Sequence, residues 1–212
     1  MKTVLVSGTH DWRNDDTTTR WYMPGSAFVS FLRSNGIEPL FGRNHEGEAV
    51  PFIWSTNLGG VGFGDGDLLV WASAGWNLYW FCVPPQCPER AVPGDQLNVI
   101  THSHGMQVAL YAAALGLKIH TLITVTGPPR KDMRDVTAKA RPNIKHWLHI
   151  HSDNSDWWQV FGTLFDGKVG SGRKHPSADV NVRVDDVGHS GLLRNPTQFA
   201  QWQEQGWLEV LK

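Results

Sequence analysis

Cysteine is scarce in this chain of 212 residues: Cys82 and Cys87, both in "CVPPQC", are the only two. Two close thiols separated by prolines make a poor zinc site, because a structural zinc takes four ligands. They read as two free thiols in a loop, with a short-loop disulfide as the alternative in an oxidising compartment. Net charge is also lacking: 19 Lys and Arg stand against 20 Asp and Glu, for a formal −1. Nothing in that balance points to nucleic acid or to an anionic membrane surface. Long apolar runs are missing as well. Gly, Pro, Asn or a charge interrupts each one well short of the ~20 residues that span a bilayer. The opening "MKTVLVSGTHDW" has too short an apolar stretch for a secretory signal, so a cytoplasmic protein is expected. No repeat, low-complexity tract or linker divides the chain, and residues 1–212 read as a single domain.

What is abundant is tryptophan, at 11 residues, within a hydrophobic fraction of 41%. Most of these side chains are expected to fill the core. The stretches "GWNLYWF" (75–81) and "DWW" (156–158) could also line an apolar or aromatic pocket. Short β-rich runs alternate with helical ones. Strands are expected at 2–7, 49–55, 96–102, 119–127, 144–152 and 179–186. Helices are expected at 24–36, over much of 64–81 with Gly75 as the one candidate for a break, at 104–116, about 130–140, and 195–211. The runs at 97–102 and 119–125 are apolar on both parities, as strands covered on both faces must be. The expectation is a three-layer α/β domain with a mostly parallel sheet of about six strands and helices on both faces.

The chemistry centres on "VITHSHGMQ" (99–107). Ser103 stands where a buried strand ends and an alanine-rich helix begins. A tight turn there would lift its hydroxyl clear of the sheet, with a helix N-terminus behind it to favour negative charge. Gly105, Ala109, Ala112, Ala113 and Gly116 are read as a small-residue face that lets the helix lie close to the sheet. His102 and His104, on either side of the serine, are expected to hydrogen-bond and pack around the turn.

With Thr101-His102-Ser103-His104-Gly105 set against G-x-S-x-G, the chain resembles the α/β-hydrolase family, in particular its compact lidless esterases and lipases. Thr101 replaces the first glycine. The family's order of nucleophile, acid and histidine is also present. "HIHSDNSDWWQ" supplies Asp153 and Asp156 after a strand, and "VDDVGHSGLL" supplies His189 on a glycine-flanked loop before the final helix. The resemblance implies Ser103 as nucleophile, Asp156 as acid and His189 as base, with Asp153 as the alternative acid. It also implies an oxyanion hole formed by the backbone N–H groups of Thr9, in "SGT" (7–9), and His104. The family's usual leading hairpin is missing, since the first strand begins near residue 3. The expected reaction is cleavage of a small-molecule or lipid-like carboxylic ester through an acyl-enzyme, with no cofactor and no metal.

His149 and His151 alternate with Ile150 and so face one side together, as a metal pair or as two hydrogen-bonded histidines near the sheet edge. His146 and His175 are expected at the surface. "GTHD", "RNHE", "GDGD" and "THSHG" resemble pieces of a binuclear metallophosphoesterase, but in the wrong order. A hydrolase-like scaffold that binds without catalysing is the remaining alternative.

Overall fold

The computed structural model describes residues 1–8, 20–54, 65–84, 92–93, 96–152, 174–185, 187–188 and 190–212, with side chains left aside at 65–67. Its frame is a six-stranded, wholly parallel sheet. The strands are β1 (Lys2–Val6), β2 (Glu38–Pro39), β5 (Leu97–His102), β6 (Ile119–Val125), β7 (Ile144–His151) and β8 (Val180–Arg183), in the spatial order β2-β1-β5-β6-β7-β8. A separate antiparallel pair joins β3 (Gly42–Arg43) to β4 (Ala49–Val50).

Alternate residues of each strand enter opposite cores, which is why the central strands lack polar alternation. Val4, Val6, Val99, Leu122 and Trp147 face one layer. That layer holds α2 (Asp65–Cys82), α3 (Gly105–Ala114) and α4 (Arg134–Ala140). Leu5, Ile100, Ile123, Leu148 and Ile150 face the other. That second layer holds α1 (Ala27–Ser34), α5 (Gly191–Arg194) and α6 (Ala200–Glu204). The three-layer parallel architecture is thus as expected, and all six residues of β5 are buried. Among the described residues, no helix is long and apolar enough to cross a membrane.

Several expected elements differ. The run at 49–55 contributes only Ala49–Val50, and outside the main sheet. Pro51 removes a ladder donor. Phe52 and Trp54 serve the core as packed side chains instead. The sixth strand is Glu38–Pro39, too short to read as a strand; its Pro39 is tolerated because β2 is an edge. α1 begins three residues later than expected, where the Ser26 hydroxyl caps Val29 N–H.

α2 runs through Gly75 without a break. A side chain there would come 2.5 Å from Tyr111 Cβ and 3.0 Å from Ala112 N, so the glycine marks where α2 crosses α3. Ala112 accordingly meets α2, while Gly105 meets β1; the small residues of α3 serve two neighbours, not one. The C-terminal helix is interrupted. Gly206, at φ +70, separates α6 from a final 3-10 turn at Glu209–Leu211. Trp202 and Trp207 pack edge to face across that break at 5.6 Å. Cys82 is not in a loop: it is the last residue of α2, fully buried and free, and burial pushes its thiol up to about 12. Cys87 lies outside the described residues.

Candidate functional site

The chain runs outward from β1 to the edge strand β2, returns to β5, and then proceeds the other way through β6, β7 and β8. The sheet order therefore reverses between β1 and β5. A crevice opens at the carboxyl ends of two such strands, because their outgoing connections diverge to opposite sides. Gly8 follows β1 there and Ser103 follows β5.

Ser103 is held in the left-handed region, at φ +50. A non-glycine residue there stores on the order of 1–3 kcal/mol, so the surroundings must hold it. They do so at three points. Its N–H donates to the Val125 carbonyl at 3.0 Å, and its carbonyl accepts from Met106 N–H at 3.2 Å as α3 begins. The third point is close packing. A Cβ on Gly105 would lie 2.6 Å from the Val6 carbonyl oxygen and 2.5 Å from that of Ser7. A Cβ on Gly8 would lie 2.9 Å from Ser103 Cβ. Trp54 Nε1–H donates to the Ser7 carbonyl at 2.8 Å, fixing the backbone just before Gly8.

The two histidines beside Ser103 go opposite ways. His102, 3% exposed, points into the layer of α1 and α5. Trp21 meets its ring edge-on at 6.4 Å, and its Nε2 lies 3.1 Å from the Ser190 hydroxyl. His104 points toward α2 and stacks on Trp71, with ring centroids 5.2 Å apart and planes 25° apart. Arg130 lies over Trp71 at 4.7 Å and holds Asp132 with Nε and one terminal nitrogen, at 2.9 and 2.5 Å. The Arg130 hydrogen bond, with the charges of Arg130 and His104, holds the Asp132 carboxyl below the usual carboxylate range against the effect of its burial. Both flanking histidines thus have partners around the turn, as expected. The aromatic side chain that stacks on His104 is Trp71, outside "GWNLYWF"; within that stretch Trp76 is half exposed and packs on Trp80 at 5.4 Å.

Thr9, Asp153, Asp156 and His189 lie outside the described residues, so of the expected site Ser103 and His104 are placed directly. Residues adjoining three of them are described: Gly8 before Thr9, Ser152 before Asp153, and Gly188 and Ser190 around His189. Sequence reasoning missed Thr126, a β-branched residue at φ +52 just after β6. Its N–H donates to the Ile150 carbonyl at 2.8 Å. No local signal announces it, because the partner of its N–H, Ile150, lies on the neighbouring strand β7.

His175 is buried, not at the surface as expected; it packs on Trp147 with centroids 4.2 Å apart. His146 is exposed. His149 and His151 share a face and are both buried, with rings 5.9 Å apart, and His149 Nδ1 lies 2.7 Å from the Thr124 hydroxyl. Among the described residues no group of three or more His, Cys, Asp or Glu is placed to hold a metal ion.

No protein-family model matches the chain, and no curated protein matches it. Solved structures do. A predicted CIB-like hydrolase from Thermoplasma acidophilum superposes with a TM-score of 0.52 at 9% identity, over 98% of this chain and 86% of that one. The esterase domain of a Rhodothermus marinus protein gives 0.50 at 15% identity, over 97% and 85%. A Pyrococcus furiosus esterase gives 0.50 at 14% identity, over 99% and 80%. The chain has the α/β-hydrolase fold. At these identities the likeness extends to the fold, and within that α/β-hydrolase fold Ser103 sits at the end of the strand beside the chain reversal.

Proposed function

We infer that the protein is a serine hydrolase that cleaves carboxylic esters through an acyl-enzyme. The observation that carries this reading is Ser103 at φ +50 between β5 and α3, beside the point where the sheet order reverses. Strain of that kind persists where a side chain must be presented, and here it presents a hydroxyl at a helix N-terminus. The hydrolase and esterase names of the structural neighbours agree with the reading.

In this reading His189 takes the proton from the Ser103 hydroxyl as its oxygen attacks the ester carbonyl. It then returns that proton to the departing alcohol. Water repeats the sequence on the acyl-enzyme and frees the acid and Ser103. Asp156 orients His189 and stabilises the imidazolium, with Asp153 as the alternative. Backbone N–H groups of Thr9 and His104 receive the oxyanion, a contribution of about 10²–10³ in rate per donor. The substrate is a small-molecule or lipid-like ester, and the chemistry calls for no cofactor.

Ser103→Ala tests this directly. Turnover across a panel of chromogenic esters of graded acyl length, in the presence of a chelator, should fall at least about a thousandfold, because loss of a triad member leaves only binding and oxyanion effects. Labelling by a serine-directed phosphonate should vanish. A folded Ala variant that keeps a substantial part of the wild-type rate would place the nucleophile elsewhere.

A further inference from the structure

Two side-chain hydrogen bonds, one buried and one partly buried, tie down the chain on either side of His189. On one side, Ser152 Oγ donates to the Val187 carbonyl at 2.8 Å. Ser152 directly follows β7 and directly precedes Asp153. On the other side, the Ser190 hydroxyl meets His102 Nε2 at 3.1 Å, joining residues 88 apart in the chain. His102 directly precedes Ser103. Val187 and Ser190 are thus held by two residues far apart in the chain: Ser152, which follows β7 and precedes the candidate acid loop, and His102, which ends β5 and precedes the candidate nucleophile.

The surroundings make these anchors firm. Ser152 and His102 are 2% and 3% exposed. Trp21 edges the His102 ring, and a Cβ on Gly8 would come 3.0 Å from His102 Nδ1, so the imidazole is confined from β1 as well. Ser190 begins α5, where its carbonyl accepts from Leu193 N–H at 3.1 Å. α5 in turn is fixed by Leu192 and Leu193 in the core and by Trp202 Nε1–H on the Leu192 carbonyl at 2.9 Å. A Cβ on Gly191 would meet Val187 Cγ1 at 2.9 Å, so the two ends of the segment also pack on each other.

Apolar side chains could fill this layer without the cost of burying polar atoms. Polar ones at both anchors fix directions that apolar packing leaves loose. A base must stay within about 2.6–3.2 Å of its nucleophile, and small misplacements cost large factors in rate. Resting on the reading of Ser103 and His189 as nucleophile and base, we propose that His102, Ser190 and Ser152 are positioning residues that bracket the His189 segment and set its register against Ser103.

The test uses the whole protein carrying Ser190→Ala, Ser152→Ala, both together, and Ser190→Thr. Kinetics on one small ester are read with the rate of phosphonate labelling and a melting curve. Each Ala variant should lower kcat about tenfold and slow labelling in parallel, with KM within about twofold. The double variant should lose about a hundredfold or more. Ser190→Thr, which keeps the hydroxyl, should return to near the wild-type kcat. Wild-type kcat in folded Ala variants, a loss confined to KM, or failure of Thr to restore the rate overturns the bracket while the hydrolase reading stands. A wild-type protein that neither turns over esters nor takes the label overturns the hydrolase reading, and the bracket with it.

Discussion

The two sides of Ser103 are built from different materials. On the His102 side the turn is closed by hydrogen bonds and backbone contact: Gly8, Ser190 and, two strands farther out, Ser152 on Val187. On the His104 side it is bordered by stacked planes, His104 on Trp71 and Arg130 over the same ring, with Asp132 fastening the arginine. Hydrogen bonds are directional and fix a side chain's position to tenths of an ångström, whereas stacked faces slide at little cost. His102 is buried while Ser103 and His104 stay partly exposed. Position is set from one side of the serine, and the other side is left accessible.

That contrast can be broken experimentally, and the largest effect is expected at the proposed acid. Of Asp156→Asn and Asp153→Asn, the one that removes the true acid should cost about 10⁴ in kcat, since Asn holds the wrong tautomer of the base. The other should lose little, because Asn makes the same local turn. The expected large loss is at Asp156, with melting curves confirming that both variants fold. A greater loss at Asp153 would move the acid next to Ser152.

Gly8→Ala comes next. The new methyl would fall 2.9 Å from Ser103 Cβ and 3.0 Å from His102 Nδ1. It should lower kcat on a small ester by about 10²-fold through displacement of the hydroxyl. Unchanged turnover would mean that Ser103 tolerates movement, and the distinction between the two sides would lapse.

Gly75→Ala should act on stability rather than on rate. Its methyl would meet Tyr111 Cβ at 2.5 Å, with Ala112 N and the Val108 carbonyl close behind. Overpacking of this kind costs about 1–3 kcal/mol, read as a lowered Tm. Cys82, on the same helix, reports on it. Burial raises its thiol to about 12, so it should resist thiol reagents at pH 8 in the native protein. It should react faster in Gly75→Ala and stay protected in Gly8→Ala. Equal protection in both would show that α2 absorbs the methyl.

The smallest effect is expected on the stacked side. The Asp132 carboxyl is held below its ordinary range, so its contribution to stability is present above the unfolded-state pKa and disappears as pH falls through the folded one. Asp132→Asn should therefore be less stable than wild type near neutrality, with the difference in Tm closing in acid. Its kcat should stay within about twofold. A large loss of kcat would show that the stacked side also sets position.

Much of the fold was legible because burial leaves a direct mark on composition. The apolar runs at 97–102 and 119–125 are what a strand covered on both faces requires, and β5 and β6 occupy those positions. The turn at Ser103 was legible because strand, serine, glycine and small-residue helix are contiguous. The Glu38–Pro39 strand was not, because two residues carry no periodicity and their pairing is decided by β1. Gly75 could not be settled along the chain for a related reason: locally a glycine weakens a helix, but here it lets α3 approach α2.

By itself the sequence determined the layers, the parallel strands, the strained serine's place and the chain order of the candidate acid and base. These depend on local pattern and on which side chains water rejects. Only the tertiary structure decided that the reversal of strand order falls beside Ser103, and that His102 reaches Ser190 while His104 reaches Trp71. It also decided that His175 is buried against Trp147. Such partners come from separate strands and helices, and nothing in the spacing of residues along the chain records which of them packing will bring together.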